Sequence, residues 1–151
     1  MRPVANLFDV ETVPVAADPP GYVAPSAKIG ALIGAKGLGA SVYVLDEGQA
    51  VCPYHWESDE EWLLVLEGRI VVRTPEGEEE IEAGEMVCFP AGLEGAHKTT
   101  NVRPERARIV ILSTKNEPSI AGYPDSDKIG IWPPGKLFRM SDAVGYWEGE
   151  L

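Results

Sequence analysis

Long apolar runs are missing from this 151-residue chain. No stretch approaches the roughly 20 residues that a bilayer-spanning helix needs, and the opening MRPVANLFDVETVPVAADPP lacks the basic start and apolar centre of a secretory leader. The reading is a soluble, cytoplasmic protein with no membrane partner. Cysteine is scarce as well. Cys52 and Cys88 are too few for a disulfide framework, and a chain with 44% hydrophobic residues can build one core without it. Both thiols read as small buried hydrophobes. Positive charge is also in short supply, with 13 Lys and Arg against 24 Asp and Glu and a net charge of -11. Such a field repels polyphosphates, which excludes nucleic acid as a partner. Sustained 3.6-residue apolar periodicity is absent too, and the one helical signal is a single turn at SDAV from Ser141.

What the chain does hold is short strands. ASVYVLDE (40–47), WLLVL (62–66), RIVVRT (69–74), EEIEA (79–83), MVCF (86–89) and ARIVILST (107–114) are rich in β-branched residues and bounded by Gly or Pro. Their close spacing predicts an all-β barrel or sandwich. Gly68, Gly77, Gly84, Gly92 and Gly95 punctuate the middle third and are expected to join consecutive strands in tight antiparallel turns. The acidic run PEGEEEIEAGE reads as a solvated hairpin edge, where charge discourages edge-to-edge association.

The flanks differ from this core. Residues 1–27 carry five of the 13 prolines and no clean alternation, which predicts an arm lying over a surface. The segment from Glu117 holds Tyr123, Trp132, Phe138, Tyr146 and Trp147, large apolar groups that need cover. A lid over the barrel or a contact with a second copy would provide it, and a homodimer is expected. The whole chain, 1–151, reads as one domain: a core at about 38–115, an N-terminal arm at 1–37 and a C-terminal extension at 116–151.

Histidine occurs only twice, and both copies sit in suggestive places. His55 and Glu57 are two residues apart, so on one strand they project from one face. Glu61 follows after a short turn, with Glu60 as its neighbour and rival. His97 lies in PAGLEGAHKTTN after another strand and another glycine-rich bend. Two imidazoles and carboxylates converging in a small barrel would suit a first-row divalent ion; the competing reading is ordinary polar surface.

The spacing resembles the two signature motifs of the cupin superfamily. Gly48 precedes His55-Trp56-Glu57, then three residues, Glu61, six residues and Gly68. The second motif has Gly84, five residues, Pro90-Ala91-Gly92, four residues, His97, three residues and Asn101. The resemblance implies a double-stranded β-helix, or jelly-roll, cupin barrel of the small single-domain, conserved-barrel type. It also implies a ligand set of His55, Glu57, Glu61 and His97 around one divalent transition metal ion (Mn, Fe, Zn, Ni or Co).

The chain departs from the pattern twice. Glu57 stands where the motif has a second histidine, which hardens the site toward Mn or Fe. The gap before His97 is two residues longer than usual, and Gly95 is expected to absorb it as a bulge or turn. A small-molecule ligand follows in either of two ways. Cupins with such a site include dioxygenases, decarboxylases and sugar-phosphate isomerases, whereas cupins with a decayed or purely structural site bind sugars or act as scaffolds. Tyr43 and Tyr54 are candidates for donating a proton or hydrogen bond, and Arg73 and Arg108 for holding an anionic substrate. Asn101 is expected to support a turn or orient His97.

Overall fold

The computed structural model describes residues 1–150. Twelve strands carry the fold: β1 (Ser26–Ala27), β2 (Leu38–Leu45), β3 (Trp56–Glu57), β4 (Glu61–Glu67), β5 (Arg69–Thr74), β6 (Gly77–Glu82), β7 (Met86–Phe89), β8 (Lys98–Thr100), β9 (Ala107–Thr114), β10 (Ser119–Tyr123), β11 (Lys128–Trp132) and β12 (Lys136–Arg139). One short helix, α1 (Ile29–Leu32), and three 3-10 turns complete the described residues. The six strands expected from the sequence are β2, β4, β5, β6, β7 and β9, and the turn expected at Ser141 is the 3-10 segment Met140–Asp142. No helix among the described residues is long and apolar enough to cross a membrane.

The strands form three antiparallel ladders, in the orders β1-β2-β9-β4-β7, β6-β5-β8 and β12-β11-β10-β3. They do not close into one ring of hydrogen bonds. The period-2 alternation of β4 shows how the first two sheets pack. Glu61, Leu63 and Val65 are buried, while Trp62 between them is exposed. Leu63 and Val65 join Leu45, Ile109 and Ala107 of the first sheet against Ile70, Val72 and Ile81 of the second, with Phe89 closing one end. Each fully buried aliphatic side chain here contributes about 1.5–3 kcal/mol. Trp62 thus faces away from Glu61 as the alternation requires, but it meets solvent and no arm covers it.

Ala5, Leu7 and Val10 pack on Ala27, Ile29, Val42 and Val110, on the face of the first sheet opposite the core. Strand β1 pairs with β2, Ser26 opposite Tyr43. The C-terminal extension is more than an arm. Its β10 pairs with β3, setting Ala121 opposite Glu57 and Gly122 opposite Trp56, so the strand carrying Trp56 and Glu57 belongs to the extension's sheet.

Two expectations need correction. Of the glycine bends, only the one at Gly77 joins paired neighbours, β5 and β6; Gly68 and Gly84 pass the chain between sheets. At Gly68 (φ 76°) a Cβ would lie 2.7 Å from the Arg106 carbonyl oxygen, so the crossing requires glycine on both counts. The cysteines are not buried either. Cys88 is exposed because Phe89 takes the inward position of β7, and Cys52 is half-buried.

Candidate metal centre

The two histidines meet across an antiparallel bridge. The His55 N–H donates to the His97 carbonyl (3.1 Å) and the His97 N–H to the His55 carbonyl (2.8 Å). Residues that exchange both bonds stand directly opposite, with side chains on one face. The flanking chains form the same ladder: Val51 N–H reaches the Thr99 carbonyl and Asn101 N–H the Gln49 carbonyl. The ring centroids are 4.8 Å apart, and Phe89 stacks on His97 at 3.6 Å, backing it from the core.

Each imidazole is oriented through its Nδ1. His97 Nδ1–H donates to the Gly95 carbonyl at 2.9 Å and His55 Nδ1–H to the Pro53 carbonyl at 3.0 Å. With Nδ1 engaged, both Nε2 atoms turn inward, the arrangement that metal-binding histidines use. Glu61, at the start of β4, supplies the carboxylate: Oε2 lies 3.4 Å from His97 Nε2 and 3.8 Å from His55 Nε2. One ligand atom from each of His55, Glu61 and His97 lies within 4.8 Å of the others, and all three residues are buried. Two nitrogens and one oxygen at this separation fit a first-row divalent ion, whose bonds of about 2.0–2.2 Å would draw the three inward. Glu57 lies beside them, its Oε1 3.2 Å from His55 Nε2, and is half-buried.

The charges in this cluster are strongly coupled. Burial pulls the His97 imidazole down to about 4, so it is neutral at pH 7 with Nε2 free. Burial also lowers His55, but hydrogen bonds to Cys52 and Glu57 outweigh it and hold this imidazole above its ordinary value. Burial, followed by the charge of Glu57, pushes the Glu61 carboxyl up to about 7. Burial raises the Tyr43 hydroxyl to about 12, which keeps it a hydrogen-bond donor.

A cavity of about 180 Å³ opens over these groups. Its wall includes Tyr43, Cys52, Thr99 and Tyr123 in addition to the four acidic and imidazole residues. The Tyr123 ring lies over His55 at 6.0 Å, and Cys52 Sγ is 3.3 Å from His55 Nδ1. Thr99 Oγ1 is buried and has no hydrogen-bond partner. An orphan hydroxyl costs about 1–3 kcal/mol unless a bound molecule satisfies it.

The other sequence candidates divide. Glu61 is the buried acid, while Glu60 is exposed and accepts from Trp62 Nε1 at 2.8 Å. Of Tyr43, Tyr54, Arg73 and Arg108, only Tyr43 reaches the cavity. The Arg73 guanidinium sits 3.9 Å above the Tyr54 ring and pairs with Asp125, which occupies both side chains elsewhere. Arg108 points from β9 to the outer face, where Nη1 donates to the Leu7 carbonyl at 2.7 Å and holds the arm. Asn101 supports a turn, donating to the Leu45 and Glu105 carbonyls and accepting from Arg103 N–H. The extra length before His97 is taken up by the 3-10 turn Leu93–Gly95.

The sequence model of the Cupin_2 family, a cupin domain, matches residues 41–113, which include both motifs. Residues 41–113 are thus a cupin domain. Solved structures share its fold. A sugar phosphate isomerase from Silicibacter pomeroyi superposes with a TM-score of 0.82 at 21% identity, covering 97% of this chain and 98% of its own. A proposed sugar phosphate isomerase from Acidithiobacillus ferrooxidans gives 0.77 at 23% identity, covering 83% and 82%. The polyketide cyclase RemF from Streptomyces resistomycificus gives 0.65 at 20% identity, covering 79% and 84%. At these identities the likeness speaks for the fold. No curated protein sequence matches this cupin.

Cys52, Thr99 and Tyr123 are cavity residues that the sequence reading did not place at the site. Cys52, three residues before His55, carried a signal in its position. Tyr123, 68 residues after His55 and outside both motifs, carried none.

Proposed function

We propose that this cupin is a metal-dependent enzyme of the isomerase type, acting on a small oxygen-rich molecule, with His55, Glu61 and His97 holding one divalent transition metal ion. The observation that carries this reading is the tethering of both Nδ1 atoms to backbone carbonyls, which leaves two Nε2 atoms and the Glu61 carboxylate facing one cavity. When bound, the ion would supply Lewis-acid polarisation of a substrate oxygen.

The chain's own residues supply the rest. An isomerisation that moves a proton between neighbouring carbons needs one base and no second substrate. Glu57, half-buried at the cavity wall, serves as that base. Tyr43 stays protonated and donates to a developing oxyanion. Tyr123 lies over His55 and limits access of water. The isomerase names of the Silicibacter and Acidithiobacillus proteins support this choice over dioxygenase or decarboxylase chemistry. The two cysteines, both free, fit a reducing compartment, and the cytoplasm is the proposed location. A homodimer is proposed as well: β12 is an open sheet edge, and Leu137, Phe138, Tyr146 and Trp147 stand exposed beside or beyond it.

One observation favours a second reading. The 3.2 Å contact between His55 and Glu57 is what a binding or scaffold cupin would use in place of an ion. Elemental analysis of untagged protein separates the two. Under the enzyme reading the wild type carries one equivalent of Mn, Fe, Co, Ni or Zn and His97→Ala carries little. A wild type that takes up no ion when dialysed against each metal, or a variant that retains full stoichiometry, refutes it.

A further inference from the structure

Beyond the Tyr123 side, the same centre opens toward a second cavity of about 400 Å³. The two share Tyr43, Glu57, Glu61 and Ile111, so they adjoin along that wall. Strand register explains the sequence of surfaces along it. Gly39 faces Ser113, Ala40 faces Leu112, Ser41 faces Ile111 and Tyr43 faces Ile109 across the β2–β9 ladder, while Glu61 faces Ser113 across β4–β9. Going outward, the lining passes from Val51, Thr99 and the two histidines of the inner cavity, through Tyr43, Glu61 and Ile111, to Ser41 and Ser113 of the outer one.

At the mouth the wall carries Lys28, just after β1, and Lys115, just after β9. Neither ammonium has a carboxylate within 4.0 Å among the described residues, a condition the chain's other lysines share; what sets these two apart is their place on the cavity wall. Gly39 keeps the wall low between them: a Cβ there would come 2.7 Å from Ser113 Oγ and 3.9 Å from Lys115 Cγ. In a chain of net charge -11, two unpaired cations at the entrance to a cavity that also holds two carboxylates are placed against the general field.

We infer that Lys28 and Lys115, with the Ser41 and Ser113 hydroxyls, bind the anionic end of the substrate, a phosphate ester group. Lysine binds phosphate as a point charge, and serine hydroxyls add directional donors to its oxygens. The neutral, oxygen-bearing end then extends inward past Tyr43 to the histidines. Seating the anion as the tail of that molecule rests on the proposed function above; the lysine site itself does not depend on a bound ion.

The probe is inorganic phosphate, titrated calorimetrically into chelator-treated full-length protein at low ionic strength. Wild type and the surface control K136Q are expected to bind it with equal affinity. The double variant K28Q/K115Q is expected to bind about tenfold or more weakly, having lost two charge-assisted contacts. Both positions are exposed, so the fold is not at risk. Wild-type affinity in K28Q/K115Q overturns the assignment, as does a wild type that binds no phosphate up to millimolar concentration. The metal reading fails separately. If the wild type takes up no ion yet phosphate binding follows the lysines, the anion site stands and the enzyme reading falls; if ions bind but phosphate ignores the lysines, the reverse holds.

Discussion

Asp59→Ala should loosen the C-terminal sheet from the barrel, and the size of the effect can be worked from the contacts. Asp59 is buried two residues before Glu61. Its Oδ1 accepts from Thr114 Oγ1 (2.9 Å), Asn116 N–H (2.9 Å) and Asn116 Nδ2 (2.7 Å), and its Oδ2 from Ser119 Oγ (2.7 Å). This one carboxylate joins the end of β9 to the start of β10. Hydrogen bonds to a charged acceptor contribute about 1.5–3 kcal/mol each when isolated, but four on one group do not add. Asn116 is exposed and water replaces the carboxylate there, whereas Thr114 and Ser119 are half-buried. One or two donors are therefore stranded, for a loss of about 3 kcal/mol. For a domain of this length that lowers Tm by roughly 9 °C, read by circular dichroism on metal-free protein.

The same carboxylate gives the loss a pH signature. Burial alone would raise Asp59, but the bonds from Ser119, Asn116 and Thr114 outweigh it and hold the group below its ordinary value of 3.8. Its contribution is fully present above the unfolded-state value and disappears as pH falls through the lowered native one. The Tm gap between wild type and variant should therefore be constant near neutrality and narrow in strong acid. A gap under about 2 °C at pH 7, or one that widens on acidification, would refute the clasp.

Two further outcomes are expected. In Gly95→Ala the new Cβ collides with the Pro90 carbonyl, so the turn must move and carry away the acceptor of His97 Nδ1. Metal affinity should fall about 10- to 100-fold with the barrel still folded, and an unchanged binding isotherm would show that the tether does not matter. For the dimer, Leu137→Lys with Phe138→Glu should convert the wild-type species to monomer in light-scattering chromatography; a wild type that is already monomeric removes the proposal.

The barrel was legible in the sequence because its long strands alternate. Each of β2, β4, β5 and β9 is six to eight residues long, enough for a period of two to register. Strands β1 and β3, of two residues, and β8, of three, have no room for a period and exist only through their partners. The extension was harder for a different reason. Gly122, Pro124 and Gly130 interrupt any alternation there, yet Gly122 is there because the Trp56 indole occupies the space a Cβ would take. At the site, the resemblance to the two cupin motifs pointed to His55, Glu57, Glu61 and His97, and the structure clusters His55, Glu61 and His97 with Glu57 beside them. Arg73 and Arg108 were misjudged because their residue type advertises anion binding, while their partners, Asp125 and the Leu7 carbonyl, lie 52 and 101 positions away.

The pairing of β10 with β3 has a practical consequence. Cutting the gene after residue 115 would spare every predicted ligand and still leave Trp56 and Glu57 without a neighbour on one side, and His55 without its ceiling. A minimal fragment that keeps this site intact is therefore longer than the region its family motifs mark out, and grafting experiments should carry the downstream hairpins along with it.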